Sequence, residues 1–232
     1  MNIIILVAAI LPALILLFYI YRRDKYQPEP LRLLLKGFGY GILSTILVFF
    51  IPTVFEVSME PRSIYDSMMT AFFGAALPEE TAKLIMLWWL LRKNKYYDEH
   101  IDGIVYAVCI GMGFAATENI GYLFKFQDVW QEVAVQRALL AVPGHFGFAV
   151  LMGYYYSENH FRGVRGWQQA KVLLVPVVAH GIYDTIAFSS AVSEAFSGVL
   201  SLLLIYFCYR MHKHGSKLIS QHLRNDGRDY EA

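Results

Sequence analysis

The sequence predicts an all-α fold, a polytopic membrane bundle of about seven transmembrane helices. Hydrophobic residues make up 56% of the 232 residues, above the roughly 45–50% apolar content of soluble domains. The mean hydropathy is positive. Apolar runs long enough to cross a bilayer as helices recur along the whole chain. The candidate spans are residues 3–21, 37–55, 68–91, 103–124, 137–157, 171–191 and a last one that begins at 192 or 198 and ends at 209.

The first span is expected to be a retained helix, because no basic stretch precedes it and no small-residue cleavage site follows it. The second and fourth spans carry small residues four positions apart. These pairs, Gly37 with Gly41 and Gly111 with Ala115, predict close contact between helix backbones.

The spans form one predicted membrane domain, residues 1–210, since neither an internal repeat nor a low-complexity linker divides them. The polar, mixed-charge tail, residues 211–232, is expected to be cytoplasmic and disordered. Both cysteines lie in apolar spans, without metal-ligand spacing, and are interpreted as buried hydrophobic residues.

Basic residues predict the orientation in the cell membrane. Of the 20 Lys and Arg residues, sixteen fall on one side of the predicted spans. Only Arg62, Lys125 and Arg137 fall on the other side, and Lys83 lies within a span. The positive-inside rule therefore predicts an extracytoplasmic N-terminus and a cytoplasmic C-terminus. Membrane topology is sufficient to explain the distribution of these basic residues. We therefore expect the lipid bilayer to be a partner of the protein, and we expect no binding of nucleic acid.

The third span is unusual because it carries Glu79, Glu80 and Lys83 near its centre. A charged side chain at that depth costs roughly 2.5–3.5 kcal/mol, so such a group needs a compensating role. Lys83 follows the two glutamates by four and three positions, which places it between them on one helix face. The helix therefore has one polar stripe, which must face protein or trapped water.

Three further spans carry ionisable side chains at a similar depth. With a rise of about 1.5 Å per residue, His180 lies within about 2 Å of the midplane, as do both glutamates. On the same rise, His145, Asp184 and Glu118 lie about 3, 5 and 7 Å toward the outer side. Asn119 adjoins Glu118, and Asp184 shares a helix face with His180. We predict that these residues form one cluster within the membrane.

These residues also carry a family resemblance. The run Glu79-Glu80-Thr81-Ala82-Lys83 resembles the EExxK motif of PrsW-type membrane proteases, which are relatives of the CAAX-processing enzymes. The other motifs follow in order over residues 72–187: FxxxE at Phe114 and Glu118, followed by Asn119, a lone histidine at His145, and HxxxD at His180 and Asp184.

The chain differs from the CAAX-processing enzymes at three of these positions. It has Lys83 where they carry an arginine one position later, Glu118 where they carry histidine, and Asp184 where they usually carry asparagine. These differences disfavour a prenylated substrate and agree with the PrsW branch.

The resemblance implies a glutamate-type intramembrane endopeptidase acting in regulated intramembrane proteolysis. Its implied substrate is a single-pass membrane protein, an anti-sigma factor, which it cuts first on the extracytoplasmic side. The resemblance implies no cofactor. Zinc is compatible with the ligand types, since histidines and carboxylates both bind it, although the HExxH spacing is absent.

Peptide hydrolysis needs a base for water, a stabiliser for the oxyanion and an acid for the leaving amine. Two neighbouring carboxylates do not ionise together cheaply, so one is expected to be protonated and the other ionised. We predict that Glu79 is the general base, that Glu80 shares the proton load or orients the water, and that Glu118 supports them. The residues predicted on the oxyanion side are His145, His180 and Asp184, with Lys83 and Asn119 as supporting residues.

Two other functional classes remain open. A proton-coupled transporter also places carboxylates and histidines at the midplane, although the chain lacks two matching halves. A noncatalytic scaffold or receptor would keep the polar cluster for packing alone. Only a protease would cut a single-pass substrate in purified detergent solution.

Overall fold

The computed structural model describes residues 3–24, 26–51, 61–192 and 195–231, and no strand occurs in these ranges. Within these described ranges seven helices follow one another, as the sequence predicts. They are α1 (Ile3–Arg23), α2 (Leu31–Val48), α3 (residues 64–91), α4 (His100–Lys125), α5 (Gln127–Arg162), α6 (Trp167–Val192) and α7 (Ser197–Glu231). The predicted end of the second span, Phe55, lies outside the described residues, as do residues 193 and 194 of the last connector.

Five of these helices, α1, α2, α4, α5 and α6, are long and apolar enough to cross a membrane. Helices α3 and α7 do not meet this criterion, because each carries charged residues. Helix α3 carries the charged group Glu79, Glu80 and Lys83 at its centre, and α7 has an apolar first part and a charged second part. The predicted helical membrane bundle is thus confirmed.

Helix α4 lies at the centre of the bundle, and every residue from Ile101 to Ala116 is buried, whereas only four residues are buried in each of α1 and α2. Helices α1, α2 and α5 pack around α4. A Cβ atom added to Gly41 of α2 would collide with the carbonyl oxygen of Ile110 on α4, and one added to Gly113 would collide with that of Phe38. The close approach predicted at the small residues of α2 is therefore confirmed.

In two helices the winding changes from α-helical to the wider π-helical form close to residues of the polar cluster. Helix α3 has a π-helical stretch at Thr70–Ala76, and α5 has one at Arg137–Ala141. Pro78 and Pro143 come two residues after these stretches. A proline has no N–H group and its ring clashes with the carbonyl four residues earlier, which favours a wider turn there. The site residues of both helices follow directly.

The disorder expected for the C-terminal tail is wrong for residues 211–231, because α7 continues through them. Leu218 and Ile219 are buried in the main hydrophobic core. The carboxylate of Asp226 accepts hydrogen bonds from the backbone N–H groups of His100 and Ile101, at 2.7 and 3.0 Å. These N–H groups begin α4 and have no partner within the helix. The tail therefore orders because it caps and covers α4.

Candidate active site

Lys83 lies at the centre of the buried polar cluster. Its Nζ is 2.8 Å from Glu80 Oε1, 3.3 Å from Glu79 Oε2 and 3.4 Å from His145 Nδ1. The ring of Phe114 covers the ammonium at 3.9 Å from its centroid. One cation thus contacts both glutamates and a histidine of another helix, in a position shielded from lipid.

His180 is held between carboxylates on both sides of its ring. Its Nδ1 lies 2.9 Å from Glu80 Oε1, while its Nε2 lies 3.2 Å from Asp184 Oδ2 and 4.0 Å from Glu79 Oε2. Phe148 stacks on the ring at 4.5 Å with an interplanar angle of 15°. The imidazole therefore has a fixed orientation, as the shared helix face of His180 and Asp184 predicts.

The cluster also contains Arg137, a cation that the sequence predicted outside the membrane. Its Nη2 donates to Glu118 Oε2 at 2.6 Å, and its Nε donates to Asn119 Oδ1 at 2.6 Å. His145 Nε2 lies 2.9 Å from the same oxygen of Glu118. One sequence signal could have indicated this residue: four intramembrane carboxylates with one lysine require a further cation nearby.

All eight residues predicted from the sequence lie in this one network, which joins α3, α4, α5 and α6. Asn119 also donates a hydrogen bond to the backbone carbonyl of Ala9 on α1, at 3.1 Å. The catalytic roles of these residues stay predictions. The fold brings residues that are far apart in the chain into hydrogen-bonding distance. His180 and Glu80, for example, are 100 positions apart.

The two glutamates differ in access to a cavity of about 340 Å³ beside the cluster. Glu79 lines this cavity, and its side chain is 13% exposed. Glu80 is fully buried, and its Oε2 has no hydrogen-bond partner among the residues that the structure describes. The remaining cavity wall is largely apolar and aromatic, with Tyr122, Phe148 and Tyr183 among its members. Glu79 is thus the glutamate of the pair that faces the cavity.

Charge balance in the cluster depends on protons. It contains four carboxylates and two side chains that carry a positive charge, Lys83 and Arg137. Two further protons, shared among the carboxylates and the two histidines, make the cluster neutral.

Four of the same side chains fit a metal ion by their chemistry. Ligand atoms of Glu79, Glu80, His145 and His180 lie within 4.8 Å of one another. Two imidazoles and two carboxylates are donors that zinc accepts. Lys83 contacts three of these four residues, so an ion bound there would replace its hydrogen bonds. A bound zinc would polarise the substrate carbonyl or activate a water molecule.

Comparison with known proteins identifies the family of the chain. Residues 29–210 match the model of a family described as PrsW family intramembrane metalloprotease. The chain belongs to the PrsW family. It is 36% identical to Protease PrsW of Oceanobacillus iheyensis over 219 residues, which are 93% of this chain and 98% of that protein. It is 33% identical to Protease PrsW of Geobacillus kaustophilus over 207 residues, 89% of each chain. No solved structure matches the chain significantly.

The PrsW family match covers every residue of the polar cluster, from Glu79 to Asp184. The predicted recognition is therefore confirmed, and the chain is a multi-pass membrane protease. The family description names a metalloprotease, which agrees with the donor types at the site. The predicted compatibility with zinc thus stands, while the expectation of a metal-free mechanism stays a prediction.

Proposed function

We propose that this PrsW-family protein is an endopeptidase in which Glu79 is the general base that activates water. The observation that supports this role most strongly is the difference between the two glutamates. Glu79 lines the cavity and lies 3.3 Å from the cation of Lys83, whereas Glu80 is enclosed by Lys83 and His180. A base must reach both the water and the peptide bond, and Glu79 meets this condition.

In the proposed reaction, Glu79 accepts a proton from water as the water oxygen attacks the carbonyl carbon of the scissile peptide. Glu80 orients the ring of His180 through Nδ1, and the oxyanion that forms takes the place of Asp184 Oδ2 as the acceptor of a hydrogen bond from Nε2. The amine then leaves with the proton that Glu79 received. His145 and Glu118 keep the cluster neutral from the outer side, supported by Arg137.

A metal-assisted form of the same hydrolysis is the second candidate, supported by the four converging donors. The two forms differ in their response to a chelator. We propose the glutamate-type form, because the ammonium of Lys83 already bonds to the donors that a metal would need.

We propose that the substrate is a single-pass anti-sigma factor cut on its extracytoplasmic side. The motif resemblance supports this substrate, and the basic residues support an extracytoplasmic N-terminus and a cytoplasmic C-terminus. A reporter fused after residue 232 is expected to be cytoplasmic, and one inserted in residues 56–67 is expected to be external. The opposite result would invert the proposed topology.

The function is tested by incubating the purified protein in detergent with a purified single-pass substrate, with and without a chelator. Cleavage by the wild type that Glu79→Gln abolishes and the chelator does not change would support the proposal. Loss of cleavage on chelation, restored by added zinc, would favour the metal-assisted form. Absence of cleavage of several substrates, together with proton-coupled uptake in vesicles, would favour a transporter.

A further inference from the structure

Helix α7 carries a basic face outside the active site. We define it by Arg210, Lys213, His214 and Lys217, which are all exposed and recur every three to four residues. Together with Tyr206 and Tyr209 they line a shallow cavity of about 390 Å³. The spacing places these side chains on one side of the helix, so their charges act on the same volume.

The protein itself does not neutralise this charge. Residues 195–225 contain neither aspartate nor glutamate. Among the ion pairs of the described ranges, none involves Arg210, Lys213 or Lys217. Arg210 instead donates to the hydroxyl of Tyr206 at 2.7 Å. The face is therefore suited to an external anion.

The position of the basic face along α7 indicates the kind of anion. The preceding turns expose Val199, Leu202 and Leu203, which are suited to contact lipid tails. Tyr206 and Tyr209 follow, and tyrosine is enriched where the hydrocarbon meets the headgroups. The basic residues come next along the helix, so we expect them at the depth of the lipid phosphates.

The same helix also reaches the active site. Leu204, two turns before the basic face, lines the cavity that contains Glu79. It belongs to a small hydrophobic cluster with Met211, Phe148 and Tyr183, and Phe148 stacks on His180. A ligand that holds the basic face at the membrane surface thus also holds one wall of the active-site cavity.

We propose that the basic face of α7 binds the phosphate headgroup of an anionic phospholipid and thereby fixes α7 against the active-site cavity. Near an anionic surface each Lys or Arg contributes roughly 1 kcal/mol, or about fivefold in binding. Arg210, Lys213 and Lys217 together are expected to favour an anionic over a zwitterionic lipid by on the order of a hundredfold.

The experiment measures lipid retention, which does not depend on protease activity. The purified full-length protein is exchanged into micelles that contain phosphatidylcholine and phosphatidylglycerol, and the lipids kept by the protein are counted by native mass spectrometry. The test variant is R210Q/K213Q/K217Q, because glutamine keeps helix propensity and removes charge. The matched control is R92Q/K93Q/K95Q, which removes three exposed cations next to the end of α3.

We expect the wild type and the control to retain phosphatidylglycerol and the test variant to lose it, with unchanged helicity by circular dichroism. We also expect activity of the wild type to rise with the phosphatidylglycerol content of proteoliposomes, and activity of the test variant not to respond. Equal retention by all three proteins, or equal loss in both variants, would overturn the proposal. Displacement of the lipid by the same concentration of inorganic phosphate, or by an acidic peptide, would overturn the assignment to a phospholipid.

Discussion

The two adjacent glutamates should respond differently to the same substitution by glutamine, which keeps the volume and removes the charge. Glu80 is fully buried, with Oε1 at 2.8 Å from Lys83 Nζ and 2.9 Å from His180 Nδ1. Glu79 lies 3.3 Å from Lys83 and faces the cavity. Glu80→Gln therefore removes the main partner of a buried cation, and Glu79→Gln leaves that partner in place.

The expected magnitudes follow from these contacts. Removing one partner of a buried ion pair costs about 3–5 kcal/mol, so Glu80→Gln should lower the free energy of unfolding by that amount. At about 2–4 °C per kcal/mol for a chain of this size, the melting temperature should fall by roughly 6–20 °C. Glu79→Gln should cost only about 1 kcal/mol of stability, because the pair of Lys83 and Glu80 remains. Loss of the general base should nevertheless slow cleavage by about 10²–10⁴-fold.

The assay combines thermal unfolding in detergent with the initial rate of cleavage of a single-pass substrate. Glu132→Gln, at an exposed position of α5, is the matched control and should change neither quantity. Glu79→Gln should be inactive and stable, and Glu80→Gln should be both inactive and destabilised. Normal cleavage by Glu79→Gln would refute its role as the base. A larger loss of stability for Glu79→Gln than for Glu80→Gln would refute the assignment of Glu80 as the buried partner.

Three further predictions concern the rest of the site and the packing around it. His180→Gln should slow cleavage by on the order of a hundredfold or more, with a small change in melting temperature. Asp184→Asn should slow cleavage less. Parallel losses of folding and cleavage in His180→Gln would assign His180 a structural role. Arg137→Met should remove the ion pair of Glu118, which keeps only its contact with His145, and should lower the free energy of unfolding by about 1–3 kcal/mol. Arg137→Lys should be intermediate. Thermal unfolding of both variants measures this, and equal stability of the Met and Lys variants would contradict it. Gly113→Leu should sharply reduce the yield of folded protein, because its side chain would meet a backbone carbonyl of α2. Gly121→Leu on the same helix has open space and is the control, so equal yields would show that the α2–α4 contact is not limiting.

The sequence by itself determined the helical membrane bundle and eight members of the polar cluster, all except Arg137. Apolar runs of bilayer length leave the backbone no alternative to helices, since lipid cannot satisfy its N–H and C=O groups. Ionisable side chains at matching depths, such as Glu79, His145 and His180, must then converge, because lipid does not solvate charge. Depth along each helix axis can be read from residue spacing alone, and that was sufficient to predict the group.

Only the tertiary structure decided how the members of the cluster are used. Spacing along a helix does not give its rotation relative to neighbours, so the sequence could not show that Glu79 faces the cavity while Glu80 binds Lys83 and His180. Arg137, at the start of a π-helical stretch, joins the cluster through contacts with Glu118 and Asn119, which residue counting does not register. Helix α7 orders beyond its apolar part because Asp226 finds the free N–H groups that begin α4, 125 and 126 residues earlier in the chain. In each case the deciding contact joins distant parts of the chain or depends on a helix's exact winding, which packing fixes and local sequence does not.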